Sequence, residues 1–266
     1  MKDALVVSLF SMIPRRWSSS LLGRLSRSLF SRLLLRWFVW NYGIDLNEAE
    51  RSHPRDYASL GDLFSRALKP GSREIDPSTQ AFVSPVDGTV ALCARGVRGS
   101  AEIAPGRSID LSALIGEDTN EPWDVLVCYL SPRDYHRVHT PCDGSILKSQ
   151  HHPGERWPVF PSAVRGVRDL FSRNERVVLS LKSPHGPLTL VMVGAFGVGH
   201  ITWPDGGVAT TDPMPFDTTS KGAWLGTFEL GSTVILLTPP DLVEWRVAKG
   251  DAVRVGQRIG IYKESM

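Results

Sequence analysis

Two of the seven histidines stand three residues apart in Tyr129-Leu130-Ser131-Pro132-Arg133-Asp134-Tyr135-His136-Arg137-Val138-His139-Thr140-Pro141-Cys142-Asp143-Gly144. Imidazole titrates near neutral pH, so either ring is suited to moving a proton. An H-x-x-H pair can also offer two metal ligands. This one lacks the Glu and the i, i+4 spacing of a zincin helix, only His200 stands ready as a third ligand, and no metal is expected. A nucleophile candidate lies in Phe228-Glu229-Leu230-Gly231-Ser232-Thr233-Val234-Ile235-Leu236-Leu237, where a glycine and two hydroxyl residues interrupt an apolar strand pattern. Glycine there signals a bulge or a close backbone approach. The bulge alone is the plain reading. The chemical one is that Gly231 leaves its carbonyl unshielded within reach of Ser232 Oγ. The hydrolase elbow G-x-S-x-G is absent, since Leu230 and Val234 occupy its glycine positions. Asp87, in Ser84-Pro85-Val86-Asp87-Gly88-Thr89-Val90, is an acid in a tight turn, and an Asp-Gly pair is usually turn chemistry.

These residues need a scaffold, and the pattern from Ala81 onward supplies one. Short valine-rich runs separated by Gly and Pro predict strands over 124–130, 176–181, 188–193, 222–230 and 233–237. Tyr57, Leu60, Phe64 and Leu68 predict a helix over 57–68, stopped by Pro70-Gly71. Ser162 to Arg176 reads as a polar loop or short helix on a solvated surface, whose arginines could instead hold a phosphate. Val247 to Gly260 resembles the turn of biotinyl/lipoyl-like barrels, and Ser84 to Val90 resembles their opening strand. That admits a swinging-arm carrier as a rival function, but no Met-Lys or Asp-Lys hairpin presents a carrier lysine. The expected fold is α+β: N-terminal amphipathic helices, then a mainly β body with barrel-like elements.

Residues 1–40 hold seven basic residues against Asp3 alone, within a chain of net charge +2, so the body is mildly acidic. A basic arm suits an anionic partner. Pro14 separates a short apolar segment, Ala4 to Ile13, from a longer stretch in which Leu22, Leu25, Leu29, Leu33, Trp37 and Trp40 recur at helical spacing. Arg24, Arg27 and Ser31 fall on another face, and Arg36 lies nearer the stripe. A secretory signal would need a small-residue cleavage site where Pro14-Arg15-Arg16 stands. A membrane span would need about 20 mostly apolar residues. An interfacial amphipathic helix fits best, with an arm packed on its own domain as the alternative. Nucleic acid is not expected, because the aromatics cluster with leucines. Cys93, Cys128 and Cys142 form no metal-type pair and no even-numbered disulfide framework, which suits a reducing compartment.

Taken together, these stretches resemble the bacterial (prokaryotic type I) phosphatidylserine decarboxylases, a pyruvoyl-dependent family. The resemblance runs through Leu63-Phe64-Ser65-Arg66-Ala67-Leu68-Lys69-Pro70-Gly71-Ser72-Arg73, Ser84 to Gly88, Tyr129 to Gly144, Asn174-Glu175-Arg176-Val177, Val193-Gly194-Ala195, Lys221-Gly222 and Leu230-Gly231-Ser232-Thr233. It implies that Ser232 attacks the Gly231 carbonyl and becomes a covalent pyruvoyl group. His139 would be the base for that cut, Asp87 would orient His139, and His136 would serve decarboxylation and proton return. It implies a carboxy-lyase that forms a Schiff base with phosphatidylserine, releases CO₂ and yields phosphatidylethanolamine. The cut would give a β chain, 1–231, and an α chain, 232–266, held as a heterodimer, with further pairing left open. Residues 1–45 would be a membrane-binding arm and 46–266 the catalytic domain, peripheral on the cytoplasmic side of the cell membrane. A pyruvoyl enzyme for a soluble amino acid and a serine hydrolase that never cuts itself are the remaining rivals.

Overall fold

A computed structural model describes residues 24–196, 201–209, 214, 217–228 and 231–263. Its centre is an eight-stranded antiparallel sheet. Across the sheet the strands run Thr218–Thr219, Gly144–His152, Arg176–Ser183, Gly186–Val193, Ser232–Thr238, Trp123–Leu130, Gly88–Val97 and Ala252–Val253. Ser232–Thr238 is buried at every residue. A strand covered on both faces reads as a continuous apolar run, while its side chains still alternate between faces. Val234 and Leu236 join Leu126, Cys128 and Met192 in one core. Ile235 and Leu237 join Val125, Val127 and Val191 in the other.

Different elements close the two cores. The first is covered by two three-stranded sheets. One holds Ala81–Val83, Arg258–Tyr262 and Val243–Trp245. The other holds Ile201–Thr202, Trp224–Phe228 and Arg137–His139. The second core lies under the hairpin Ser100–Ala104/Arg107–Asp110 and the short helices Leu111–Ile115, Pro161–Gly166 and Leu170–Arg173. Ser162 to Arg176 is therefore not a solvated surface, because Ala163, Val164, Val167, Leu170 and Phe171 all face this core. Two of its arginines hold the fold. Arg173 pairs with Glu155 at 2.8 Å, and buried Arg176 donates to the carbonyls of Ala113, Leu114, Ser172 and Asn174. Asn174, fully buried, receives the Trp157 N–H and donates to the Trp157 and Gly194 carbonyls. Buried bonds of this kind contribute about 1 kcal/mol each, and an unmet partner costs more.

The expected strands are present, with the fourth confined to Trp224–Phe228; residues 229–230 lie outside the described residues. The helix expected over 57–68 shrinks to Leu60–Phe64, preceded by a 3₁₀ turn at Pro54–Asp56. Ser59 caps the helix by accepting the Asp62 N–H, and Tyr57 is extended. Ser59 therefore starts the helix later than the apolar spacing suggests. Tyr57 is buried for tertiary reasons, against Leu35 and Leu63, with its hydroxyl donating to the Arg51 carbonyl at 2.7 Å. Leu68 instead forms an isolated bridge with Ala49. The three cysteines are free, and burial raises the Cys128 thiol to about 12, which leaves it inert.

Of the arm, residues 1–23 lie outside the described residues, among them Ala4 to Ile13, Pro14 and Leu22. The rest is a 3₁₀ turn, Leu29–Leu34, running into helix Leu35–Tyr42, which Gly43 ends at φ 62°. One side packs down. Leu35 is buried with Ile44, Leu46, Tyr57 and Leu63, and Phe38 meets Phe64 edge-on. Ser26 and Ser31 are buried as well, and the Ser31 hydroxyl accepts the Leu60 N–H. The other side is inverted for a protein in water: Leu29, Phe30, Leu33 and Trp40 are each at least 74% exposed, with Trp37 and Leu25 half exposed. Exposed apolar patches of this kind mark interaction surfaces. No helix among the described residues is long and apolar enough to cross a membrane.

Candidate active site

Ser232 opens the central strand opposite Leu130, the last residue of its neighbour. After Leu130 the chain turns. The Asp134 carboxylate closes that turn by accepting both the N–H and the hydroxyl of Ser131 at 2.7 Å. The turn delivers His136, whose carbonyl receives the Phe228 N–H at 3.0 Å. Arg137–His139 then pairs with Trp224–Phe228, the strand that leads toward Gly231. The serine-bearing and histidine-bearing segments thus meet at one end of the sheet.

Ser232 Oγ and His136 Nε2 are both fully buried and have no hydrogen-bond partner among the described residues. Such orphans cost about 1–3 kcal/mol each and call for an explanation. His136 Nδ1–H donates to the Asp134 carbonyl at 2.8 Å, which leaves the Nε2 lone pair bare. Burial, reinforced by the Arg66 charge, pushes His136 down to about 3. The ring is neutral at physiological pH, and Phe64 meets it edge-on at 5.0 Å. This is well below the range at which a free imidazole titrates, because burial and the Arg66 charge both disfavour the charged ring. Around Gly231 the space is open: an added Cβ would meet nothing within 4 Å among the described residues.

His139 is held at both nitrogens. Nδ1–H donates to the Gly222 carbonyl at 2.8 Å, and Nε2 accepts from the Tyr135 hydroxyl at 3.2 Å. Burial lowers its pKa, and the nearby Asp87 charge partly opposes this. Asp87 lies in a network of its own. It pairs with Arg73 and accepts the Val255 N–H at 2.9 Å. Gly88 beside it must be glycine, since a Cβ there would fall 2.5 Å from the Tyr129 carbonyl oxygen. Here the two barrel-like stretches meet: Gly88 and Thr89 pair with Val253 and Ala252, and Gly256 N–H donates to Ser84. Among the described residues, no hydrogen bond joins Asp87 to His139 or either histidine to Ser232. The tautomer of His139 is set by the Gly222 carbonyl, and Asp87 acts on the ring through its charge. Sequence reasoning gave no role to Arg66, Arg73, Tyr135 or Gly222. The first two stand in the Leu63 to Arg73 stretch that carries the family resemblance, but a backbone carbonyl such as Gly222 carries no residue signature. His200, the third metal candidate, lies outside the described residues.

A family model for phosphatidylserine decarboxylase matches residues 60–261. The chain belongs to the phosphatidylserine decarboxylase family. The match begins at the Ser59-capped helix and takes in Asp87, His136, His139 and Ser232. Proteins named phosphatidylserine decarboxylase proenzyme align with nearly the whole chain, arm included. The one from Azoarcus sp. (strain BH72) is 36% identical over 98% of this chain and 96% of its own length. That from Shewanella sp. (strain W3-18-1) is 37% identical, covering 97% and 96%. That from Shewanella woodyi is 36% identical, covering 91% and 92%. A pyruvoyl group, the prosthetic group this family resemblance implies, would be made from Ser232. The residues fit it: an unsatisfied buried hydroxyl follows an unshielded glycine, with neutral imidazoles in the adjoining strand and turn.

Proposed function

We propose that the chain is the proenzyme of a phosphatidylserine decarboxylase that cuts itself between Gly231 and Ser232. The observation that carries this reading is a buried Ser232 Oγ with no partner among the described residues, beside a Gly231 that is open among them, inside the stretch matched by the family model. A serine hydroxyl is a weak nucleophile until a base takes its proton. We assign that task to His139: its Nδ1–H is committed to Gly222, so Nε2 is its basic nitrogen, and that lone pair must exchange the Tyr135 hydroxyl for Ser232 Oγ. The Asp87 charge would stabilise the imidazolium that results. Ser232 Oγ bonds to the Gly231 carbonyl carbon as the Gly231–Ser232 C–N bond breaks, which leaves an ester. Loss of the Ser232 Cα proton expels the Gly231 carboxylate. Water then replaces the nitrogen, which leaves as ammonia.

The products, 1–231 and 232–266, stay together because Ser232–Thr238 lies between Trp123–Leu130 and Gly186–Val193. When formed, the pyruvoyl carbonyl supplies an electron sink for the pair left by departing CO₂. The chain's own part is to exclude water and manage one proton. Neutral His136 offers its Nε2 lone pair to the proton that the substrate ammonium gives up on reacting, and returns that proton to the substrate carbon. The processed protein should release CO₂ from phosphatidylserine in mixed micelles and yield phosphatidylethanolamine. Processed protein that releases none would overturn the reading.

Residues 46–266 form the catalytic domain in this account, and 1–45 dock it on the cytoplasmic face of the cell membrane as a peripheral arm. Exposed Leu33, Phe30 and Trp40 would enter the acyl boundary while Arg32 and Arg36 meet anionic headgroups. Full burial of large apolar side chains is worth about 1.5–3 kcal/mol each. The double variant Trp37→Ala/Trp40→Ala should therefore bind anionic vesicles at least ~10-fold more weakly in a sedimentation assay, with self-cleavage intact. Unchanged partitioning would remove the arm from membrane docking.

A further inference from the structure

A polar cavity of about 260 Å³ joins the exposed helix to the candidate catalytic residues. Gly43, which ends helix Leu35–Tyr42, lines one side. Asp87 and Tyr135 line another, and the Tyr135 hydroxyl touches His139. Gly43 thus brings the C-terminal end of the exposed helix to this opening.

The charges of the wall are unevenly satisfied. Arg73 is held by Asp87 and Glu48, and Arg254 by Glu48 at 2.9 Å. Asp45 accepts the Asn47 N–H, and Asp134 is engaged by Ser131. Arg66 is the exception. It is 4% exposed, and among the described residues its guanidinium meets the carbonyls of Leu63, Arg133 and Asp134 while its Nε–H has no partner. Asp87 and Asp134 act on it from beyond ion-pair distance. Arg133, largely exposed, has only a loose approach to Asp134 at 3.9 Å. A buried cation without a counter-charge is costly, and guanidinium groups pair strongly with phosphate oxygens.

We propose that this cavity seats the phosphodiester of the substrate headgroup, with Arg66 and Arg133 as its cationic contacts. The assignment rests on the lipid-decarboxylase reading above. The phosphodiester is preferred over the substrate carboxylate on chemical grounds. A cation paired with the carboxylate would stabilise it in the ground state and oppose its loss as CO₂. A cation on the phosphate holds the lipid and leaves the carboxylate unpaired.

The test uses the uncut full-length Ser232→Ala chain, in which binding is read without turnover. Calorimetric titration with glycerophosphoserine and glycerophosphoethanolamine should show both binding, and Arg133→Gln should weaken both at least ~10-fold. Arg66→Gln should do the same. If that variant fails to fold for want of its carbonyl contacts, exposed Arg133 still carries the test. L-serine, which lacks the phosphate, should respond to neither change. Two results would overturn the assignment: unchanged or absent binding of both phosphodiesters, or a loss confined to the carboxylate-bearing ligands. A wild-type protein that releases no CO₂, while Arg133→Gln still weakens phosphodiester binding, would sink the decarboxylase reading and keep the cavity.

Discussion

Ser232→Ala leaves a single chain of 29.4 kDa under denaturing conditions, where the wild-type protein separates into 1–231 and 232–266. Decarboxylation falls by at least ~10⁴-fold, because without Oγ no ester forms and no reactive carbonyl follows. The variant should fold as well as the parent. Ser232 Oγ is buried without a partner among the described residues, so its removal deletes an unmet polar group and makes no cavity of consequence. Thermal unfolding of the variant at or above the temperature of the wild-type precursor would support this, and intact-mass analysis reads the cut directly. A wild-type protein that is active as one uncut chain would refute self-cleavage and favour a hydrolase or a carrier.

The two histidines should part company on substitution. His139→Ala slows the cut by about 10²–10⁴-fold, the usual worth of a positioned general base. His136→Ala should let the cut proceed and then fail in CO₂ release. The cutting rate should also carry the signature of its base. His139 takes a proton only when neutral, and burial places its pKa below the ordinary histidine value. Self-cleavage should therefore be flat at pH 7 and above and decline only as pH falls through a midpoint below 6.5. This is followed by the appearance of the 232–266 chain in freshly refolded protein. Normal cutting in His139→Ala, or a midpoint above the ordinary value, would remove His139 as the base.

The legible parts of this protein were those dictated by local pattern. Arg176–Ser183, Gly186–Val193 and Ser232–Thr238 announce themselves because a sheet buried on both faces needs unbroken apolar runs. Gly88 pairs with Val253, which joins the two stretches that resemble the opening strand and the turn of biotinyl/lipoyl-like barrels. The illegible parts depend on tertiary placement. Tyr57 kept a helical spacing while sitting in extended chain, because Leu35 and Leu63 bury it. Ser31 is buried while Leu33 is exposed, the reverse of what polarity alone suggests. In the site, the types and order of Asp87, His136, His139 and Ser232 could be read from the sequence. That Gly222 fixes the His139 ring and Arg73 claims Asp87 could not, since a carbonyl has no letter and ion pairs between distant segments leave no spacing.

The placement of Ser232–Thr238 has a consequence for how such an enzyme must be manufactured. The piece beyond Gly231 supplies the middle strand of the large sheet, the Arg258–Tyr262 partner of Ala81–Val83, and the Ala252–Val253 partner of Gly88 and Thr89. While the backbone is continuous, that piece finds its slot as part of the same chain, at the high effective concentration a tether provides. Severed first, it would have to enter as a separate molecule, competing with aggregation of a sheet open along two edges. On the proposed cut, assembly would have to come first, with the continuous chain acting as its own assembly jig until the sheet is complete.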